Sequence, residues 1–214
     1  MIYAIGDSHA RVFQKITPIE VYSVSAASNM GLKNPYSKTQ ARSKIDSFLK
    51  SRLKKEDDII FLMGEVDCGF VIWYRVEKYN DSLESQTKES LLNYFSLIYS
   101  YINHCKRIIV CDVPPPTISN ETKNHSEVAK HRHERLKLKV SQEEQTKLTL
   151  VYNENIKNFC SQNSLIHLEY TKECLGKNGI VLPELLNNDK SDHHLHQEKF
   201  SELLKIKLKE VSIL

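Results

Sequence analysis

Two short stretches at opposite ends of the chain hold the residue types that acyl-transfer chemistry needs. Gly6-Asp7-Ser8-His9 stands near the N-terminus, and Asp189-Lys190-Ser191-Asp192-His193-His194-Leu195-His196 stands near the C-terminus. A serine hydroxyl is a weak nucleophile until a neighbouring base takes its proton. A histidine serves when a carboxylate fixes its tautomer and stabilises the imidazolium. Ser8 is therefore the candidate nucleophile, Asp192 the candidate carboxylate, and His194 or His196 the candidate base. Asp192 precedes His194 by two positions and His196 by four, and on a helical turn the second spacing makes neighbours. Two further stretches, Ser25-Ala26-Ala27-Ser28-Asn29-Met30-Gly31 and Gly64-Glu65-Val66-Asp67, are small, polar or Gly-containing.

The elements that must bring these stretches together are legible as alternating strands and helices. Apolar or β-branched runs at Ile2–Ile5, Glu20–Val24, Asp58–Met63, Arg107–Cys111 and Leu165–Leu168 predict five strands. Between and after them, apolar residues at helical spacing predict helices over Thr39–Leu53, Ser90–His104, Ser141–Ser161 and about Gln197–Val211. Such alternation is the mark of a three-layer α/β/α sandwich around a central, mainly parallel five-stranded sheet. In an open parallel sheet, ligands bind beyond the carboxyl ends of the strands, where strand order reverses. Ser8, Ala26 and Gly64 each follow a strand, so all three are expected at that rim. The irregular stretch at about 114–140, with Pro114-Pro115-Pro116 and a basic run from Lys130 to Lys139, reads as a loop or lid excursion.

Gly-Asp-Ser after the first strand, joined to a carboxylate–histidine cluster before the last helix, resembles the SGNH (GDSL-like) hydrolase superfamily. The likeness spans the whole chain and implies a flavodoxin-like SGNH fold, with Ser8 as nucleophile, Asp192 and His194 as its partners, and oxyanion donors at Ala26, or in its place Gly31, and at Gly64. His194 is preferred to His196 because the family's catalytic histidine is commonly followed by a small aliphatic residue, here Leu195. Two departures stand out. Val66 occupies the place of the family's oxyanion asparagine, and the Asp–His spacing is shorter than the family's D-x-x-H. Gly64-Glu65-Val66-Asp67-Cys68, with Val113-Pro114-Pro115-Pro116-Thr117 further on, looks like a bacterial branch met among polysaccharide-biosynthesis proteins. The resemblance implies a serine esterase or O-acetyltransferase acting on carbohydrate O-acetyl groups. No cofactor is required for hydrolysis, whereas transfer needs an acyl donor such as acetyl-CoA. The alternative is a non-catalytic carbohydrate-binding or scaffolding domain on the same fold.

Composition bounds the rest. A length of 214 residues predicts one domain, 1–214, able to bury roughly 70% of its unfolded surface without metal or disulfide staples. With 40% hydrophobic and 27% charged residues, global disorder is excluded. The net charge of +3 is dispersed, so no nucleic-acid partner is expected, and no run is long and apolar enough for a membrane span. Cys68, Cys105, Cys111, Cys160 and Cys174 are odd in number and form no C-x-x-C pair, which predicts reduced thiols and a cytoplasmic location.

Each motif also has a plainer reading. Gly6-Asp7-Ser8 is also what a helix cap looks like, and His9 reads as a helix-start residue. Glu65 and Asp67 can serve simply to order their loop. Trp73 and Tyr74 read as core, with sugar stacking as the alternative. His131-Arg132-His133 reads as a solvated face or an anion-recognising lid. His193-His194-x-His196 with Asp192 matches no zinc signature, and no metal is expected.

Overall fold

The computed structural model describes residues 1–118 and 140–214. Strands β1 (Ile2–Gly6), β2 (Ile19–Ser23), β3 (Asp58–Leu62), β4 (Arg107–Cys111) and β5 (Ile166–Leu168) form one sheet in the order β2-β1-β3-β4-β5. Every neighbouring pair is parallel. β1 and β3 are buried along their whole length because both faces of the sheet are covered, which is why they read as unbroken apolar runs.

Alternate residues of these strands feed two separate cores. Tyr3, Ile5, Ile59 and Phe61 pack on one face with helices α1 (Ala41–Arg52), α2 (Ile72–Tyr79), α3 (Leu83–Tyr99) and α4 (Gln142–Gln162). Ile2, Ala4, Ile60 and Leu62 pack on the other face with a 3-10 helix, Ser8–Lys15, and with α5 (Gln197–Glu210). The expected three layers and five parallel strands are present.

Some boundaries differ from expectation. α3 begins at Leu83 rather than near Ser90, because the Ser82 hydroxyl accepts the Ser85 N–H and caps the helix there. Its first turns bury Gln86, Thr87 and Ser90 in place of large apolar groups, which hides them from a hydrophobic pattern. The π-helical turn Asp67–Val71 and the short α2 were not expected at all. α4 starts where Ser141 predicts, with a reciprocal capping box between Ser141 and Glu144.

After β2 the chain crosses to β3 on the opposite side of β1, so strand order reverses between β1 and β3. Their carboxyl ends frame a crevice. Close packing at this point requires Gly6: a Cβ there would lie 1.9 Å from the Leu62 carbonyl oxygen and 2.9 Å from the Ala10 Cβ. Of the expected excursion at 114–140, Pro114, Pro115 and Pro116 are buried. The Thr117 hydroxyl donates to the His193 carbonyl, and Gln142 Nε2 donates to the Pro116 carbonyl at 2.8 Å. The basic run Lys130–Lys139 and His131-Arg132-His133 lie outside the described residues.

Candidate active site

Ser8 sits at the first position of the 3-10 helix that leaves β1, half-buried at the rim of the sheet. Asp7, fully buried, ends the strand and caps that helix: its Oδ1 accepts the His9 N–H at 2.9 Å. The same carboxylate accepts the Gly64 N–H through Oδ2 at 3.3 Å, tying the ends of β1 and β3 together. The capping and nucleophile readings of Gly6-Asp7-Ser8 are thus not rivals, since Asp7 caps and Ser8 projects.

The opposite side of the site is a loop between β5 and α5. An antiparallel bridge between Leu186 and Leu195 closes its base, and Leu195 is buried in the core beneath α5. Inside the loop, Asn187 Oδ1 accepts the Asp189 N–H at 3.0 Å and Asp189 Oδ1 accepts the Ser191 N–H at 2.8 Å, two successive Asx turns. A third follows: Asp192 Oδ1 accepts the His194 N–H at 2.9 Å. That turn brings the same oxygen to 2.5 Å from His194 Nδ1, so a spacing of two residues is enough to join the carboxylate to the ring. Asn187 Nδ2 donates to Asp192 Oδ2 at 2.9 Å, so the carboxylate is held from both ends.

The two sides meet at His194, whose Nε2 lies 2.9 Å from Ser8 Oγ. Asp192, His194 and Ser8 form a continuous hydrogen-bonded line. His196 takes no part in it. That residue is the N-cap of α5, its Nε2 faces the Asn188 amide at 3.4 Å, and its buried Nδ1 has no hydrogen-bond partner.

The electrostatics suit a proton shuttle. Burial, with the neighbouring His9, pushes the His194 pKa below the usual histidine value, against the upward pull of Asp192 and Glu65. For Asp192, burial pushes up, but the backbone and ring N–H groups of His194 outweigh it, and the carboxyl ends below its ordinary value. A neutral imidazole beside an ionised carboxylate is the resting state a general base requires.

The expected oxyanion donors fare unequally. Ala26 lies exposed in the turn after β2, with a left-handed backbone at φ 57. Gly64 does not present a free donor, because its N–H is turned to Asp7. That is a correction to the sequence expectation. The physical reason is its backbone: φ is +131, and a Cβ would meet Val113 Cγ2 at 2.7 Å, so Gly64 is a glycine for conformation and packing.

Asp67 orders the neighbouring loop, as its plainer reading holds. It accepts the N–H groups of Asn29 at 2.6 Å and Met30 at 3.0 Å and the Ser90 hydroxyl at 3.0 Å. Burial, aided by the Asp7 charge, raises its pKa to about 6 despite those donors. Trp73 is half-buried and donates from Nε1 to the Cys68 carbonyl at 2.7 Å.

Sequence reasoning did not find Asn187, nor the packing of the His9 ring on His194 at a centroid distance of 4.4 Å. An Asn five residues before a candidate catalytic Asp carries no signal of its own. The repeated Asp-x-His spacing at 7–9 and 192–194 is a signal that was there to be read. A cavity of about 10 Å³ adjoins Ser8, His9 and His194, room for a single small group at most, so an acyl substrate has to approach over the rim. A larger groove, about 970 Å³ and lined by residues such as Trp73, Leu91, Phe95 and Leu148, lies among α2, α3 and α4 and includes none of the three aligned residues.

No family model and no curated protein matches this chain in sequence. Solved structures match it in fold. A GDSL-like lipase from Bacteroides thetaiotaomicron aligns with TM-score 0.59 and 12% identity over 98% of this chain and 88% of that one. A member of the lipolytic G-D-S-L family from Veillonella parvula gives 0.54 and 10% over 99% and 97%. An acetylxylan esterase from Geobacillus stearothermophilus gives 0.51 and 14% over 99% and 93%. The strand order and the near-full-length alignments show that the chain shares the α/β fold of these GDSL-type lipolytic and esterase structures. Among the described residues no helix is long and apolar enough to cross a membrane.

Proposed function

We propose that this chain is a serine-dependent acyl-ester enzyme of the SGNH superfamily acting on carbohydrate O-acetyl groups. The observation that carries the reading is the unbroken line from Asp192 through His194 to Ser8, with separations of 2.5 and 2.9 Å. Ser8 Oγ attacks the ester carbonyl carbon while its proton passes to His194 Nε2. The leaving alkoxide takes that proton, and the acyl group stays on Ser8. Water resolves the acyl-enzyme in an esterase, and a sugar hydroxyl resolves it in an O-acetyltransferase fed by a donor such as acetyl-CoA. Backbone N–H groups at Ser8 and Ala26 hold the oxyanion. The resemblance of Gly64-Glu65-Val66-Asp67-Cys68 to the polysaccharide-locus branch, and the fold shared with an acetylxylan esterase, support the carbohydrate assignment. All five cysteines are buried and unpaired, which supports a reducing, cytoplasmic setting.

The test is covalent. A fluorophosphonate probe should label the wild type and spare Ser8→Ala, and a wild type that stays unlabelled sinks the serine mechanism. Turnover of p-nitrophenyl acetate with and without a candidate glycan, with mass spectrometry of the sugar, separates removal of acetyl groups from their addition. A non-catalytic carbohydrate-binding domain is the second reading. Two observations favour it: Val66 stands where the family has its oxyanion Asn, and the Gly64 N–H is committed to Asp7. Glycan binding by a chain that resists labelling would establish it.

A further inference from the structure

The two loops that meet at the site carry the same three-residue unit. In Asp7-Ser8-His9, Asp7 Oδ1 accepts the His9 backbone N–H at 2.9 Å and lies 3.2 Å from His9 Nδ1. In Asp192-His193-His194, Asp192 Oδ1 accepts the His194 N–H at 2.9 Å and lies 2.5 Å from His194 Nδ1. An ionised carboxylate only accepts hydrogen bonds, so each ring donates its Nδ1–H and keeps its lone pair on Nε2. This is the arrangement found around metal-bound histidine, where a carboxylate behind the ring fixes the tautomer and raises ligand basicity.

The two units face each other. The His9 and His194 ring centroids are 4.4 Å apart, and His193 stands 4.2 Å from His194 and 5.6 Å from His9. One ring nitrogen from each of the three lies within 4.8 Å of the others. The geometry points to a site for a borderline-soft divalent cation such as Zn²⁺ on His9, His193 and His194, whose occupation silences Ser8. Three imidazoles with a fourth position left to solvent is an established zinc donor set. Zn–N bonds of about 2.0–2.1 Å place ligand nitrogens roughly 3.4 Å apart, so the rings have to converge by about 1.5 Å at most. His193 and His194 are half-buried at the rim, outside the packed core. Asp7 and Asp192 behind the rings, and Glu65, whose charge acts on His194, make the surroundings favourable to a cation. The donor set differs from the one the sequence suggests, because His196 points to Asn188 and His9 takes its place.

Silencing follows from valence. His194 Nε2 has one lone pair, which either accepts from Ser8 Oγ–H or binds the metal. On binding, the Nε2–Zn bond forms, the Ser8 hydrogen bond breaks, and Ser8 keeps its proton. This consequence rests on the acyl-ester reading, whereas the binding itself does not.

The experiment reads binding and chemistry separately on the full-length chain, starting from chelator-treated protein. Zn²⁺ affinity is measured by competition with a chromophoric chelator, and Ser8 reactivity by fluorophosphonate labelling with and without excess Zn²⁺. Expected results are one zinc per chain, labelling blocked by zinc, affinity lowered more than about tenfold in His193→Gln and in His9→Asn, and affinity kept or raised in Ser8→Ala. Zinc binding by a chain that never labels would leave the metal site standing and remove the serine reading. Labelling that zinc does not slow would overturn the silencing of Ser8, and an affinity unmoved in both histidine variants would overturn the metal site, whatever becomes of the enzyme.

Discussion

Ser8 Oγ and His194 Nε2 lie within hydrogen-bond distance although 186 positions separate them along the chain. Each is delivered by an aspartate that caps its own turn, Asp7 on one side and Asp192 on the other. His194→Ala should therefore lower p-nitrophenyl acetate turnover by about 10⁴-fold or more. His196→Ala, remote from the line, should stay within about tenfold of wild type. The opposite ranking would move the base to His196.

On the acyl-ester reading, Asn187 positions the base through its hydrogen bond to Asp192 Oδ2. Asn187→Ala should lower kcat by about 10- to 100-fold, as misplacement of a catalytic group by about an ångström does, with KM little changed. A purely structural role would instead lower the amount of folded enzyme and leave kcat per labelled Ser8 intact, and active-site titration with the fluorophosphonate makes that distinction.

If His194 is the base, as proposed, the acidic limb of activity follows from its state. Only the neutral ring takes the Ser8 proton, and its pKa is held below 6.5, so activity is lost as pH falls and the limb in kcat/KM has its midpoint below 6.5. A midpoint at or above that value would mean that Asp192 and Glu65, not burial and His9, dominate the ring.

Asp67 predicts a stability slope of the opposite sense. Its carboxyl titrates near 6 in the folded chain against 3.8 when exposed. The folded state therefore keeps a proton that the unfolded chain has already released, and the stability Asp67 contributes below about pH 4 is lost as pH rises through about 6. Urea denaturation at pH 4 and at pH 7 should show a fall of order 1–3 kcal/mol that Asp67→Asn removes. Equal slopes in both proteins would place the titration elsewhere.

Most of the sheet can be read from residue types, because buried parallel strands such as Asp58–Leu62 are apolar on both faces and say so directly. Ser8 and the carboxylate–histidine cluster are legible for a similar reason, since few side chains can do that chemistry. The choice between His194 and His196 is not legible in periodicity, because no helix joins Asp192 to either one: an Asx turn selects His194, and α5 begins only at Gln197. Nor is the fate of Gly64, whose N–H direction depends on Asp7 and Val113, brought to it by other strands. The turn Asp67–Val71 runs straight into α2 with no side-chain cap to mark where either begins.

The placement of the base after the last strand has a consequence for synthesis. Among the described residues the last strand ends at Leu168, whereas the loop bearing Asp192 and His194 and the helix that seats it follow. Ser8 thus precedes, and His194 follows, every strand after β1 along the chain. On the acyl-ester reading, Ser8 gains its base only when that closing loop has docked, so the last segment to be made is the one that completes the site.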